Sequence, residues 1–265
     1  MFRRSQALPG GLDPDPWQSA CAREIMTTQS ILLLCARQCG KSETDAAMVL
    51  LTILLTPPAL VLIVGPTERQ GLELLAYKFM PMYEAWRELC PMKKGKDLVN
   101  SKEFVNGSRI VVLPDKEGNI RSYSRVNLIV LDEASRVTDP LYRAVRPMLS
   151  ISRGRLMGSS TAFGQRGWFY EEWINPARPW ARFDVKGADC KRHSKRFLEQ
   201  ERLHHGERWF LQEYCNDFAQ AVGAVFSPED IKGAFNRVSE DEAWLDLFGS
   251  SVPGPNIVQA QPLEL

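Results

Sequence analysis

Apolar and polar positions along this chain alternate between short β-branched runs and longer amphipathic stretches, the pattern of strands interleaved with helices. Ile31–Cys35 is an apolar run that enters a loop at Ala36, and Lys41 to about Leu55 reads as a helix. Leu60–Val64, rich in β-branched residues, ends at Gly65-Pro66, and a helical stretch follows from roughly Glu68 to Tyr83. Arg109–Leu113 and Leu128–Leu131 read as further strands, the second wholly apolar, as suits a strand buried on both faces. Asp139–Leu149 reads as a helix with Asp139 at the N-cap and Pro140 at the first helical position, and Arg155–Ser159 as one more strand. This order predicts an α/β fold: a mostly parallel sheet flanked by helices.

The texture changes near Gln165. Strand runs become rare, aromatics cluster (Trp168, Phe169, Tyr170, Trp173, Trp180, Phe183), and Phe197–Phe218 looks helical and amphipathic. The expected organisation is a core over residues 1–164, a small, mainly helical C-terminal subdomain over 165–235, and a tail over 236–265 that carries a Pro-Gly-Pro run.

Composition is that of a folded protein, with 44% hydrophobic and 25% charged residues. A net charge of +1 leaves no molecule-wide attraction for nucleic acid, so DNA would have to meet local clusters. Lys93, Lys94 and Lys96 form one such cluster, and the stretch Lys186–Arg196 is another. Ala46–Val64 is nearly long and apolar enough to span a bilayer, but Pro57-Pro58 interrupts it, so it reads as a helix, a turn and a strand of a soluble, cytoplasmic protein without a membrane partner. Six cysteines at positions 21, 35, 39, 90, 190 and 215 show no Cys-x-x-Cys pair and no His–Cys metal spacing, and read as reduced thiols.

Two places carry chemistry. From Ile31 to Ser42 the chain reads as a strand, a short loop, and Gly40-Lys41-Ser42 opening a helix. Loop and helix N–H groups there would face a β-phosphate, Lys41 would reach the β/γ oxygens, and the Ser42 hydroxyl would ligate Mg²⁺. The first glycine of the common phosphate loop would fall at Cys35, so the pattern is incomplete. The second place is Leu128 to Glu133, an apolar strand ending in two acids. Asp132 would join the Mg²⁺ shell, and Glu133 would orient and deprotonate an attacking water. Lys41 and Asp132 lie about 90 residues apart with a further strand between them in the chain, the layout of an extra-strand P-loop ATPase. ATP and Mg²⁺ are the cofactors this implies.

The loop Arg37-Gln38-Cys39-Gly40-Lys41-Ser42 resembles the form R-Q-x-G-K-[ST] found in viral DNA-packaging terminase large subunits, of the tailed-phage type. The resemblance extends from about residue 13 to 235 and implies the ATPase region of that family, with a P-loop (RecA-like) fold. It implies Arg37, Gln38 and Cys39 at the nucleotide, with the Arg37 guanidinium a second cation near the phosphates. It also implies that Gln18, in Asp15-Pro16-Trp17-Gln18, reads the adenine edge. Ser160 and Thr161 match the family's motif coupling hydrolysis to movement, and Arg121 its arginine finger, with Arg125 the rival. Phe210-Leu-Gln-Glu-Tyr214 and Val225-Phe226 resemble the end of the ATPase region. Implied partners are double-stranded DNA, a portal protein and a small terminase subunit, with a homo-oligomeric ring as the active assembly.

Complete members continue into a nuclease, whereas this sequence ends about 30 residues after Phe235, and its acids Asp241, Glu242 and Asp246 lie too close together for a two-metal site. No nuclease activity is expected. Two other readings stay open: a nucleotide-binding module or remnant without turnover, and a helicase-type ATPase, which normally needs two such sheets. Alkylation of Cys39 is expected to block nucleotide binding.

Overall fold

The apolar runs assemble into a single eight-stranded sheet in the computed structural model, which describes residues 14–114 and 122–218. In chain order the strands are β1 (Ser30–Cys35), β2 (Leu60–Gly65), β3 (Met92–Leu98), β4 (Ser101–Phe104), β5 (Arg109–Pro114), β6 (Leu128–Asp132), β7 (Arg155–Ser160) and β8 (Ala181–Val185). Across the sheet they run β3-β4-β5-β2-β6-β7-β1-β8. Every pairing from β5 to β8 in that order is parallel, and β3 and β4 add an antiparallel extension. The expected α/β architecture is present.

Side chains alternate across each strand. Ile31, Leu33 and Cys35 of β1 point to a core that contains Ala46, Val49, Leu50 and Ile53 of helix α2 (Lys41–Leu55). Leu32 and Leu34 point to the opposite core, built with Leu141, Tyr142, Trp168 and Phe169. Burial on both faces is why β1, β2 and β6 are apolar throughout. α2, a cis Pro57-Pro58 bond and β2 account for the long apolar segment as expected, and no helix among the described residues is long and apolar enough to cross a membrane.

Helix α1 (Pro16–Glu24) precedes β1. The stretch after β2 comprises α3 (Glu68–Glu73), a π-helical turn (Leu74–Phe79) and α4 (Met80–Glu84). Pro81 lacks the N–H that an unbroken α-helix would need there. α5 (Asp139–Val145) begins one residue earlier than expected: Thr138 is the N-cap, and the Asp139 carboxylate instead accepts the Trp168 N–H at 2.8 Å, anchoring α6 (Gly167–Ile174). The single helix expected over 197–218 is two, α7 (Lys195–His205) and α8 (Glu207–Cys215), broken at Gly206, whose φ of 82° favours glycine.

The boundary expected at residue 165 is not where the structure divides. β8 lies within that segment and hydrogen-bonds to β1 along its length, and all described residues share one compact unit. Tyr142 of α5 stacks on Trp168 of α6 at 4.1 Å, and within α6 Phe169 stacks on Trp173 at 6.4 Å. The buried Glu172 carboxylate accepts from Tyr142 Oη (2.7 Å) and Trp180 Nε1 (2.7 Å).

Between β6 and β1, the middle of β7 has no room for a side chain. A Cβ at Gly158 would lie 3.0 Å from Trp168 Cη2, 3.2 Å from Leu32 Cδ2 and 3.4 Å from Ala134 Cβ. Gly158→Ala is expected to destabilise the protein by about 1–3 kcal/mol through overpacking. That exceeds the roughly 0.4–1 kcal/mol gained by restricting the unfolded chain. The denaturant midpoint measures the difference.

Candidate active site

β1, β7 and β6 are neighbours, and their carboxyl ends meet at one cavity of about 550 Å³. Such cavities are where open parallel sheets bind ligands. Its lining includes Arg37, Gly40, Lys41 and Ser42 from the β1–α2 connection, Glu133 after β6 and Thr161 after β7. The loop turns at Gln38 (φ 57°) and Gly40 (φ 95°) to start α2, whose N-terminus carries no side-chain cap. A Cβ at Gly40 would come within 2.8 Å of both Arg192 Nη2 and Gln18 Nε2, so the loop is close-packed from behind. Uncapped N–H groups at the start of a 15-residue helix form an anion cradle, which fits phosphates.

Lys41 joins the loop to the acids. Its Nζ lies 2.5 Å from Glu133 Oε1 and 3.3 Å from Asp132 Oδ1. Burial works against the charged ammonium, but the Asp132 and Glu133 carboxylates outweigh it and leave the Lys41 pKa raised. Glu133 adopts left-handed backbone angles (φ 50°, ψ 46°), which cost a non-glycine residue about 1–2 kcal/mol. Two bonds hold it there: its N–H donates to Asp132 Oδ1 at 3.0 Å, and its carbonyl accepts the Arg136 N–H at 2.8 Å. The turn aims the carboxylate back at Lys41.

Below this pair sits Asp45 of α2, fully buried. Its Oδ2 accepts from Ser159 Oγ at 2.7 Å, and its Oδ1 has no partner. Burial, reinforced by the Asp132 charge, holds this carboxyl well above the usual carboxylate range.

No family model matches the sequence, and no curated protein matches it. Solved structures do match. A point mutant of the large terminase ATPase domain of Thermus phage P74-26 superposes with a TM-score of 0.70 at 20% identity, covering 82% of this chain and 97% of that one. The large terminase of another thermophilic bacteriophage gives 0.68 at 12% identity, over 82% of this chain and 57% of that one. The HK97 bacteriophage large terminase gives 0.53 at 18% identity, over 88% and 50%. The fold is that of large-terminase ATPase domains. Structures of the second thermophilic phage's protein in complex with ADP and with ATP-gamma-S match with TM-scores of 0.65 and 0.62.

Within this terminase fold the sequence-predicted residues divide into groups. Lys41, Asp132 and Glu133 are in contact, and Arg37, Gln38, Gly40, Ser42 and Thr161 line the same cavity. Gln18 does not line it. The side chain is fully buried, with Nε2 donating to the Gly40 carbonyl (3.1 Å) and Thr44 Oγ1 (3.1 Å) and Oε1 accepting the Asp15 N–H (2.9 Å). Its amide braces the loop from behind and has no edge left for a base. Arg37 is half-exposed, and its guanidinium is ion-paired to the buried Glu213 of α8, within the Phe210–Tyr214 motif. Ser160 is buried; its Oγ accepts the Ser135 N–H at 3.1 Å and lies 2.6 Å from Ser135 Oγ, linking the end of β7 to the turn after Glu133. Arg125 is exposed, while Arg121, Val225-Phe226 and the acids at 241, 242 and 246 lie outside the described residues.

Sequence reasoning assigned none of three further cavity cations, Lys78, Arg136 and Arg192, to the site. Arg136 follows Glu133 by one 3₁₀ turn and stacks over Phe163 at 4.2 Å. Arg192 donates to the Cys39 carbonyl and, at 3.1 Å, to Asp15 Oδ2. The nearness of Arg136 to the acidic pair was a usable signal, whereas Arg192 stood out only within the basic stretch Lys186–Arg196, read as a DNA-facing cluster. Cys39 points away from the cavity into the protein, towards Cys190 and His193. The expectation that the cysteines show no metal spacing needs correction: Cys190 and His193 are a Cys-x-x-His pair, and the third donor comes from a remote part of the chain.

The Asp45 environment has a pH signature. Because the folded pKa is raised, the group's contribution to stability is full below the ordinary carboxylate pKa and declines as pH rises towards the folded value. Asp45→Asn removes that decline. The variant is expected to melt above the parent at neutral pH, with the gap narrowing as pH falls and closing below the ordinary carboxylate pKa, as thermal melts across pH would show.

Proposed function

We propose that this chain is the ATP-hydrolysing motor domain of a viral DNA-packaging terminase large subunit, coupling MgATP hydrolysis to translocation of double-stranded DNA. The observation that carries the reading is Lys41 held between Asp132 and Glu133, at the carboxyl ends of strands separated by β7. The terminase fold and the nucleotide complexes of one structural neighbour support it.

In this reading the triphosphate lies on the α2 N-terminus. Its oxygens compete with Glu133 for the Lys41 ammonium and free the carboxylate to take a proton from the attacking water. Ser42 and Asp132 would hold Mg²⁺, which neutralises charge on the β- and γ-phosphate oxygens. Arg37, Arg136 and Arg192 are further cations at the cavity, and Gln38 and Cys39 complete the loop. Ser160 and Thr161 report the state of the site, because Ser135 bonds both to Ser160 Oγ and, at 3.1 Å, to the Thr161 carbonyl. The lid is the segment expected over residues 165–235, tied to the phosphate loop through Arg192 and Glu213. An arginine from a neighbouring subunit, with Arg121 the candidate, completes the transition-state charge in a homo-oligomeric ring on a portal protein, working with a small terminase subunit in the cytoplasm of an infected host. The exposed Lys93, Lys94 and Lys96 of β3 are one DNA-facing candidate.

Phosphate release from MgATP at high protein concentration tests the chemistry. Glu133→Gln is expected to lower turnover by about 10²–10⁴-fold with ATP binding kept, the usual contribution of a general base. Binding by both proteins with turnover by neither would make the chain a nucleotide-binding module. Failure of both to bind would remove the phosphate-loop assignment.

A further inference from the structure

Behind the phosphate loop, three soft donors from remote parts of the chain converge. Cys39 Sγ, Cys190 Sγ and a ring nitrogen of His193 all lie within 4.8 Å of one another. Cys39 Sγ and His193 Nδ1 are 4.0 Å apart. Cys39 and Cys190 are buried, and His193 is half-buried. A fourth thiol, Cys35 at the end of β1, adjoins Cys39 and is hydrogen-bonded to it.

From this geometry we infer that Cys39, Cys190 and His193 form a binding site for a thiophilic divalent cation, Zn²⁺ by preference, that fastens the phosphate loop to the segment following β8.

Tetrahedral zinc, with bonds of about 2.3 Å to sulfur and 2.0–2.1 Å to nitrogen, sets neighbouring donors roughly 3.5–3.8 Å apart. The observed spacing needs only a small inward movement of side chains. Two sulfurs and an imidazole select zinc over magnesium, which takes oxygen ligands, so this site is chemically separate from the one assigned to Ser42 and Asp132. Binding is balanced by protons: Zn²⁺ replaces the hydrogen on each of the two thiols, two protons go to solvent, and the neutral imidazole supplies a lone pair. No oxidant or reductant takes part.

The segment already touches the loop without metal. Arg192 donates to the Cys39 carbonyl, Cys39 Sγ lies 4.0 Å from the Lys186 carbonyl, and Cys190 Sγ lies 4.0 Å from the Gln38 carbonyl. A cation would convert these weak sulfur contacts into a covalent-strength cross-link between the nucleotide loop and the Gly187–Asp189 turn.

Titration of the reduced full chain with Co²⁺, in the presence of Mg²⁺, tests this. One equivalent is expected to give thiolate-to-cobalt charge-transfer bands with intense tetrahedral d–d bands, and one equivalent of Zn²⁺ should abolish them. Cys190→Ser and His193→Ala should each lose or strongly weaken these bands, while Cys215→Ser, outside the cluster, keeps them; circular dichroism confirms that each variant is folded. Absence of thiolate bands from the folded parent, or bands that persist unchanged in Cys190→Ser, would overturn the inference. So would a Cys39–Cys190 disulfide in place of bound metal under the same reducing conditions.

Discussion

Everything at the cavity depends on one buried cation. Lys41 belongs to the loop after β1 and its partners to the turn after β6, and the ion pairs between them span the width of β7. Removing one partner from such a buried cluster typically costs about 3–5 kcal/mol, because it leaves a charge without compensation. Lys41, Asp132 and Glu133 are therefore mutually obligatory while the site is empty of phosphate. An incoming anion does not meet an idle lysine. On the proposed ATPase reading, it would take over a cation already in use and displace a carboxylate, which makes nucleotide entry and activation of Glu133 one electrostatic exchange.

The loop that carries Lys41 is held from three sides. Gln18 of α1 grips the Gly40 carbonyl, Arg192 grips the Cys39 carbonyl, and the Glu213 carboxylate of α8 accepts from Arg37 Nε. Many phosphate loops rely on glycine to let the backbone turn. Here a cysteine stands at the position where the leading glycine would fall, and the shape is maintained by side chains reaching in from elsewhere. Such bracing lowers the ordering cost of binding an anion.

Much of this was legible in the sequence. The buried strands announce themselves through unbroken apolar runs, and the strand-to-loop contexts of Gly40-Lys41-Ser42 and Asp132-Glu133 are local signals. β8 escaped because an edge strand needs only one good apolar face: Ala181, Arg182, Phe183 and Asp184 are all at least partly exposed. The break at Gly206 escaped because the amphipathic period resumes almost in phase on its far side. Arg192, Glu213, Cys190 and His193 were unreadable as site neighbours for a different reason, since only the tertiary path of the chain carries them to the loop. Gln18, expected to read an adenine edge, instead spends its buried amide on the protein's own groups.

Gly158 sets a clearance for the site. Its missing side chain is the space that Leu32, Trp168 and Ala134 fill, so the turn that presents Glu133 rests through Ala134 on the sheet face at a height set by one absent atom. A strand hydrogen-bonded on both sides cannot slip along its length without breaking both ladders, and this one has no room to grow in bulk. β7 is therefore a rigid seat beneath the acidic turn, as a machined ledge is to the part clamped on it.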